Sequence, residues 1–194
     1  AADNRRDSAL TVAVHHDKET DKNGNAMTEL YLVRHGETID NVNKIMQGQT
    51  QGMLTPEGER QARQLASRLA DIHFDFFVSS DLKRAIDTCR IIAEGRGMEV
   101  LTTPLLRERD WGSFTGRYIP DLKDAVWPAD IETLDGLKQR ATAFLDYIRT
   151  EYCGARVLAV GHGIINKAIQ SVYTGKPMNE IKKMENAEVR VLEL

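Results

Sequence analysis

The chain has 194 residues, of which 41% are hydrophobic and 28% charged, with a formal net charge of −3. That length suits one domain, the composition is that of a globular protein, and the charge balance gives no basic surface for nucleic acid or anionic lipid. No apolar run approaches the roughly 20 residues of a membrane-spanning helix. The two cysteines, Cys89 and Cys153, lack the spacing of a disulfide framework or a zinc site. A cytoplasmic location fits them.

Residues 1–26 are polar apart from 10–14, and read as an N-terminal extension or tail, with the domain expected over 27–194. The alternative for 10–14 is an additional strand on a sheet edge.

From residue 29 onward, strand and helix patterns alternate, the signature of parallel βαβ units. The first strand is expected at 29–33. Thr55-Pro56-Glu57 opens a helix with an N-cap threonine, proline at the first position and an acid near the positive end. Ala62, Leu65, Ala66 and Leu69 form its apolar stripe. The second strand is expected at 74–78, with Ser79-Ser80-Asp81 capping a helix that buries Leu82, Ala85, Ile86, Cys89 and Ile92. A third strand is expected at 98–101. Residues 104–131 look irregular, interrupted by Gly112, Gly116, Pro120 and Pro128, and such a stretch often covers an active site. Leu134, Leu137, Ala141, Phe144, Leu145 and Ile148 mark another helix. A strand at 156–160, a helix at 164–173 ending at Gly175, and a strand at 189–194 complete the chain. The last strand is a candidate sheet edge, free to pair with a second copy in a homodimer or to be covered by the first residues.

The informative residues stand where strands end. Leu32-Val33-Arg34-His35-Gly36-Glu37-Thr38 closes the first strand, Gly161-His162-Gly163 closes the fourth, and Arg84 lies in the first turn after the second. Parallel strands bring their carboxyl ends to one side of a sheet, where ligands bind. Arg34, His35, Arg84 and His162 then converge into a site for a dianion. Arginine suits phosphate because its planar fork binds two oxygens at once. An imidazole can attack phosphorus, and a glycine after each histidine, Gly36 and Gly163, lets the backbone approach a bound anion. Glu108 is the best acid for the leaving alkoxide. Competing readings are open at this level. Arg84 has Asp81 and Asp87 as possible surface partners, Glu37, Asp110 and Glu132 are rival acids, and Trp111 and Trp127 fit either a core or a substrate entrance.

These motifs together resemble the histidine phosphatase superfamily, of phosphoglycerate mutase-like fold. The first-histidine motif with Asn41, the segment Leu54-Thr55-Pro56-Glu57-Gly58 with Gln61-Ala62, Ser79-Ser80-Asp81-Leu82-Lys83-Arg84-Ala85, Glu108 with Trp111-Gly112 and Gly116, and Gly161-His162-Gly163 carry the resemblance over about 27–194. It implies an α/β fold, a three-layer α/β/α sandwich with a mostly parallel sheet and one antiparallel strand. It also implies His35 as the phosphohistidine nucleophile, a phosphate pocket of Arg34, Arg84 and His162 with Asn41 at its edge, Glu108 as proton donor, and neither metal nor cofactor. Two positions depart from the pattern: Gln51 stands where many relatives carry aspartate, in a loop expected at the substrate entrance, and Gly161 where many carry serine. The expected activity is a phosphomonoesterase acting on a small phosphorylated metabolite. Only 45 or so residues separate Gly116 from Gly161, and a helix fills much of that interval. Little is left for the closing insertion of a mutase, and the final strand leaves no shielding tail. Phosphoglycerate mutase is the second reading, and a catalytically silent phosphate-binding module the third.

Overall fold

In the computed structural model, residues 26–194 are described together with Thr20 and Gly24. The expectations for the polar extension and for a strand at 10–14 fall outside them. The strands are β1 (Glu29–Arg34), β2 (Phe76–Ser80), β3 (Val100–Thr103), β4 (Arg156–Gly161) and β5 (Val189–Glu193). They form one sheet in the order β3-β2-β4-β1-β5. All neighbouring pairs are parallel except β1 with β5, which is antiparallel. The helices are α1 (Ile39–Val42), α2 (Pro56–Arg68), α3 (Lys83–Ala93), α4 (Leu134–Glu151) and α5 (Gly163–Thr174).

The period-two alternation of the central strands produces three layers. Leu30 and Leu32 of β1, with Val157 and Ala159 of β4, pack into the cluster that contains Leu137, Phe144 and Ile148 of α4 and Ile165 and Ile169 of α5. The intervening Val33, Leu158 and Val160 join Leu65 of α2 and Ala85, Cys89 and Ile92 of α3 on the opposite face. Strands covered on both sides read as continuous apolar runs, which is why β1 and β4 stand out in the sequence. Among the described residues, no helix is long and apolar enough to cross a membrane.

Two strands are displaced from their expected positions by two residues. β2 begins at Phe76 rather than Phe74, and β3 at Val100 rather than Met98. Phe74 is buried by stacking on Tyr31 and Phe77 ahead of the strand. Its apolar character reports burial, not pairing. The expected cap Ser79-Ser80-Asp81 is also corrected: both serines belong to β2, and Leu82 is the N-cap of α3 without a side-chain hydrogen bond. The missing cap comes from far along the chain, where Gln51 Oε1 accepts from Lys83 N at 2.9 Å. Thr55 caps α2 as expected, accepting from Gly58 N at 3.0 Å. The stretch 104–131 contains short 3-10 turns at Pro104–Leu106, Gly112–Phe114 and Ile119–Leu122 and no longer element.

Candidate active site

β1 and β4 lie side by side, with Arg34 in register with Gly161, so the residues that follow them emerge together. His35 and His162 are both buried, their ring centroids 5.1 Å apart. His35 N donates to the Gly161 carbonyl at 3.1 Å, and its own carbonyl accepts from Asn186 Nδ2 at 3.0 Å. Its ring is oriented by a 2.7 Å hydrogen bond between Nδ1 and the Gly36 carbonyl. A carbonyl only accepts, so Nδ1 carries the hydrogen and Nε2 keeps its lone pair. Burial, and then the charges of Arg84 and Arg34, hold the His35 ring well below the ordinary histidine range. It is a neutral base at neutral pH. The same causes, burial first and Arg84 second, depress His162, whose two ring nitrogens are buried without a partner.

Arg84 is 1% exposed. Its Nη2 donates to the Gly48 carbonyl at 2.8 Å, and its Nη1 to the carbonyls of Thr50 and Gln51. A loop of backbone oxygens therefore holds the guanidinium by its outer nitrogens, and Nε remains unpaired. Neither surface reading of Arg84 holds: Asp81 pairs with Arg107, and Asp87 with Lys83. Burial lowers its pKa to about 10, which still leaves it a cation at neutral pH. Arg34 is built alike, with Nη1 donating to the Met184 carbonyl at 2.7 Å and Nε buried and unpaired. Two guanidiniums with free Nε–H groups and an imidazole with two free nitrogens are an incomplete hydrogen-bonding set. A phosphoryl dianion would complete it.

Glu108 reaches the site from the turn after β3. Its Oε1 accepts from Arg109 N at 2.8 Å, Ile164 N at 3.2 Å and Ile165 N at 3.1 Å, while Oε2 shares only Ile164 N, at 3.1 Å. The first turn of α5 thus holds the carboxyl through amides that the helix leaves free. The rival acids have other partners. Glu37 Oε1 accepts from Thr55 Oγ1, Asp110 Oδ1 from Gly112 N, and Glu132 is paired with Arg140.

Arg34, His35, Asn41, Arg84, Glu108 and Gly163 line one cavity of about 220 Å³. His162 is not part of that lining; its ring is fully buried beside that of His35. Asn41 is present, but its Oδ1 accepts from Thr38 N and Asn186 Nδ2, so it also fastens the loop that follows His35. A Cβ at Gly163 would lie 3.5 Å from Arg34 Nε and 3.8 Å from Glu108 Oε2, in ordinary van der Waals contact with both site side chains. Gly36 differs from its expected role: the space beside it is filled by the backbone of Gly58.

A sequence profile described as the histidine phosphatase superfamily (branch 1) matches residues 30–194. The chain belongs to that superfamily. A probable phosphoglycerate mutase, GpmB, of Enterobacter sp. (strain 638) is 36% identical over 165 residues, covering 78% of this chain and 77% of that protein. Among solved structures, Bacillus stearothermophilus YhfR superposes with a TM-score of 0.78 at 29% identity, covering 84% of this chain and 90% of that one. The mycobacterial glucosyl-3-phosphoglycerate phosphatase Rv2419c gives 0.76 at 26% identity, covering 86% and 90%.

Within this superfamily fold, the two departures have structural explanations. Gln51 does not line the cavity. It caps α3 with its side chain, and its carbonyl accepts from Arg84 N at 3.1 Å, which locks the loop that holds Arg84. The loop does border the cavity, through Gln47 and Gly48, while Gln51 itself supports it from outside the lining. At Gly161, a serine Cβ would sit 2.2 Å from Asn166 Oδ1. The asparagine occupies that volume and donates from Nδ2 to the Val33 carbonyl at 3.0 Å.

Sequence reasoning missed Arg140. From α4, it donates to the carbonyls of Leu105, Arg107 and Glu108 and pairs with Glu132, fixing the turn that carries Glu108. A charge beside the apolar stripe of Leu137, Ala141 and Phe144 was the available signal.

Proposed function

We propose that the protein is a phosphomonoesterase that passes a phosphoryl group through His35 to water. The observation that carries this reading is the His35 tautomer: Nδ1 is committed to the Gly36 carbonyl, leaving Nε2 as a neutral nucleophile among Arg34, Arg84 and His162. In the first step, Nε2 bonds to phosphorus and the bond from phosphorus to the ester oxygen breaks. The departing alkoxide takes a proton from Glu108, whose Oε2, with the fewer hydrogen bonds, is the oxygen placed to carry it. In the second step, water attacks the phosphohistidine, Glu108 takes its proton, the N–P bond breaks, and inorganic phosphate leaves with His35 restored. The Nδ1–H bond to Gly36 steadies the ring while it is cationic. The free Nε–H groups of Arg34 and Arg84, with His162, serve the equatorial oxygens, where charge spreads in the transition state.

Phosphoglycerate mutation uses the same pocket and is the second reading, favoured by the likeness to GpmB, a probable phosphoglycerate mutase. Hydrolysis is supported by the shortness of the covering structure. Between Gly116 and Gly161 lie the turn Ile119–Leu122 and α4, and α4 is packed in the core. Ile119, in the cavity wall, is 44% exposed, which supports an open mouth through which water could enter.

The test is an assay of p-nitrophenyl phosphate and alkyl phosphomonoesters, with 3-phosphoglycerate plus a trace of 2,3-bisphosphoglycerate in parallel. Release of inorganic phosphate without isomerisation, unaffected by EDTA, is expected. Rapid isomerisation with little release establishes the mutase instead, and silence in both assays favours a binding module.

A further inference from the structure

The mouth of the His35 cavity is formed by two loops that hold each other. Met46 N donates to the Arg117 carbonyl at 2.9 Å, Gly116 N to the Met46 carbonyl at 2.8 Å, and Ile119 N to the Lys44 carbonyl at 2.8 Å, while Ile45 bridges Tyr118. This clip brings Ile45, Met46 and Ile119 to the lining, and Trp111 and Ile164 complete it. Trp111 packs edge-to-face on Trp127, ring centroids 5.6 Å apart, and the Arg109 guanidinium lies over both rings, 4.8 Å from that of Trp111. Two polar side chains of the lining are engaged through their oxygens, Gln47 Oε1 accepting from Thr38 Oγ1 and Asn41 Oδ1 from Thr38 N, and keep their amide nitrogens as donors. Lys183 is the one cation of the lining beyond Arg34 and Arg84. Outside the mouth, the apolar surface continues over Trp127, 56% exposed, and Val126.

Resting on the hydrolase reading, we propose that the substrate is the phosphate ester of an apolar alcohol, alkyl or aryl, taken in preference to that of a sugar or a hydroxy acid. Hydroxyl groups pressed against five apolar side chains would lose water without gaining partners, whereas methylenes placed there leave water favourably. An apolar cavity of about 150 Å³ accepts a benzene ring. A cavity of about 220 Å³ therefore takes the phosphoryl group with a short chain or part of a ring, and the remainder lies along the rim toward Trp127.

A homologous series separates this binding effect from leaving-group chemistry, because ethyl, propyl, butyl and pentyl alcohols differ little in acidity. kcat/KM for their phosphates is expected to rise about two- to fourfold per methylene. Glycerol 3-phosphate, glucose 6-phosphate and 3-phosphoglycerate should fall below butyl phosphate. Ile119→Asn, at a half-exposed position, and Met46→Ala should each flatten the series. A flat series in the wild type, 3-phosphoglycerate exceeding butyl phosphate, or a slope unchanged in both variants overturns the proposal while leaving hydrolysis intact. Phosphate release from none of these esters, in a protein that also takes up no acid-labile phosphoryl label, removes the hydrolase reading and this inference with it.

Discussion

Gly36 and Gly58 meet backbone against backbone: a Cβ on Gly36 would lie 2.4 Å from the Gly58 carbonyl oxygen, and a Cβ on Gly58 would lie 2.0 Å from the Glu37 carbonyl oxygen. The first turn of α2 thus presses directly on the loop that orients His35, and two motifs 22 positions apart serve one contact. Gly58→Ala is expected to destabilise the protein by about 1–3 kcal/mol, the usual cost of overpacking, and to lower kcat as the Gly36 carbonyl shifts. Urea midpoints with steady-state rates check this; a variant with wild-type stability and rate would show that the loop yields freely.

Removing the proposed nucleophile tests the covalent route. His35→Ala should reduce turnover by at least about a thousandfold and abolish acid-labile labelling by a phosphoryl donor. Wild-type labelling in that variant would place the intermediate elsewhere.

Glu108→Gln should separate the acid from the pocket. Glutamine retains an oxygen for the amides of Ile164 and Ile165 but has no proton of suitable acidity to give. Hydrolysis of alkyl phosphates is expected to fall about 10²- to 10⁴-fold, while phosphoenzyme formation from p-nitrophenyl phosphate, whose leaving group needs no proton, falls far less. Equal losses for both substrates in a single-turnover burst would assign Glu108 to binding.

Burial and the neighbouring guanidiniums keep His35 and His162 well below the ordinary histidine pKa of 6.5. Below about pH 6.5, the unfolded chain takes up protons that the folded protein refuses, so stability is full above that pH and declines as pH falls through it. Each ring contributes at most about 1.4 kcal/mol per pH unit. Chemical denaturation between pH 7.5 and 5 should show the decline, shallower in His162→Gln. Identical slopes in variant and wild type would remove His162 as a cause.

Asn166 and Gly161 should be energetically coupled. Gly161→Ser alone is expected to cost about 1–3 kcal/mol through the clash with Asn166 Oδ1. In the Asn166→Ala background, the same change should cost clearly less. Additive losses would show that the asparagine moves aside without penalty.

Much of the site was legible because its chemistry stands next to strong local signals. His35 and His162 each follow a continuous apolar run, and such runs mark strands buried on both faces. Arg84 follows another strand within a turn, so the convergence of all three needed only parallel topology. What escaped detection depends on groups distant in sequence. The cap of α3 comes from Gln51, the turn of Glu108 is fixed by Arg140, and the His35 loop is tied by Asn186.

The sequence by itself therefore determined the α/β layering, the family and the candidate site residues, because periodicity and residue chemistry are local properties. Tertiary structure alone decided which nitrogen of His35 is free, which acid enters the cavity and what lines its mouth. Those depend on where carbonyls and apolar side chains from separate loops arrive. The two-residue shift of β2 has the same origin: Phe74 is buried by Tyr31 and Phe77, and an apolar side chain can enter the core without its backbone joining the sheet.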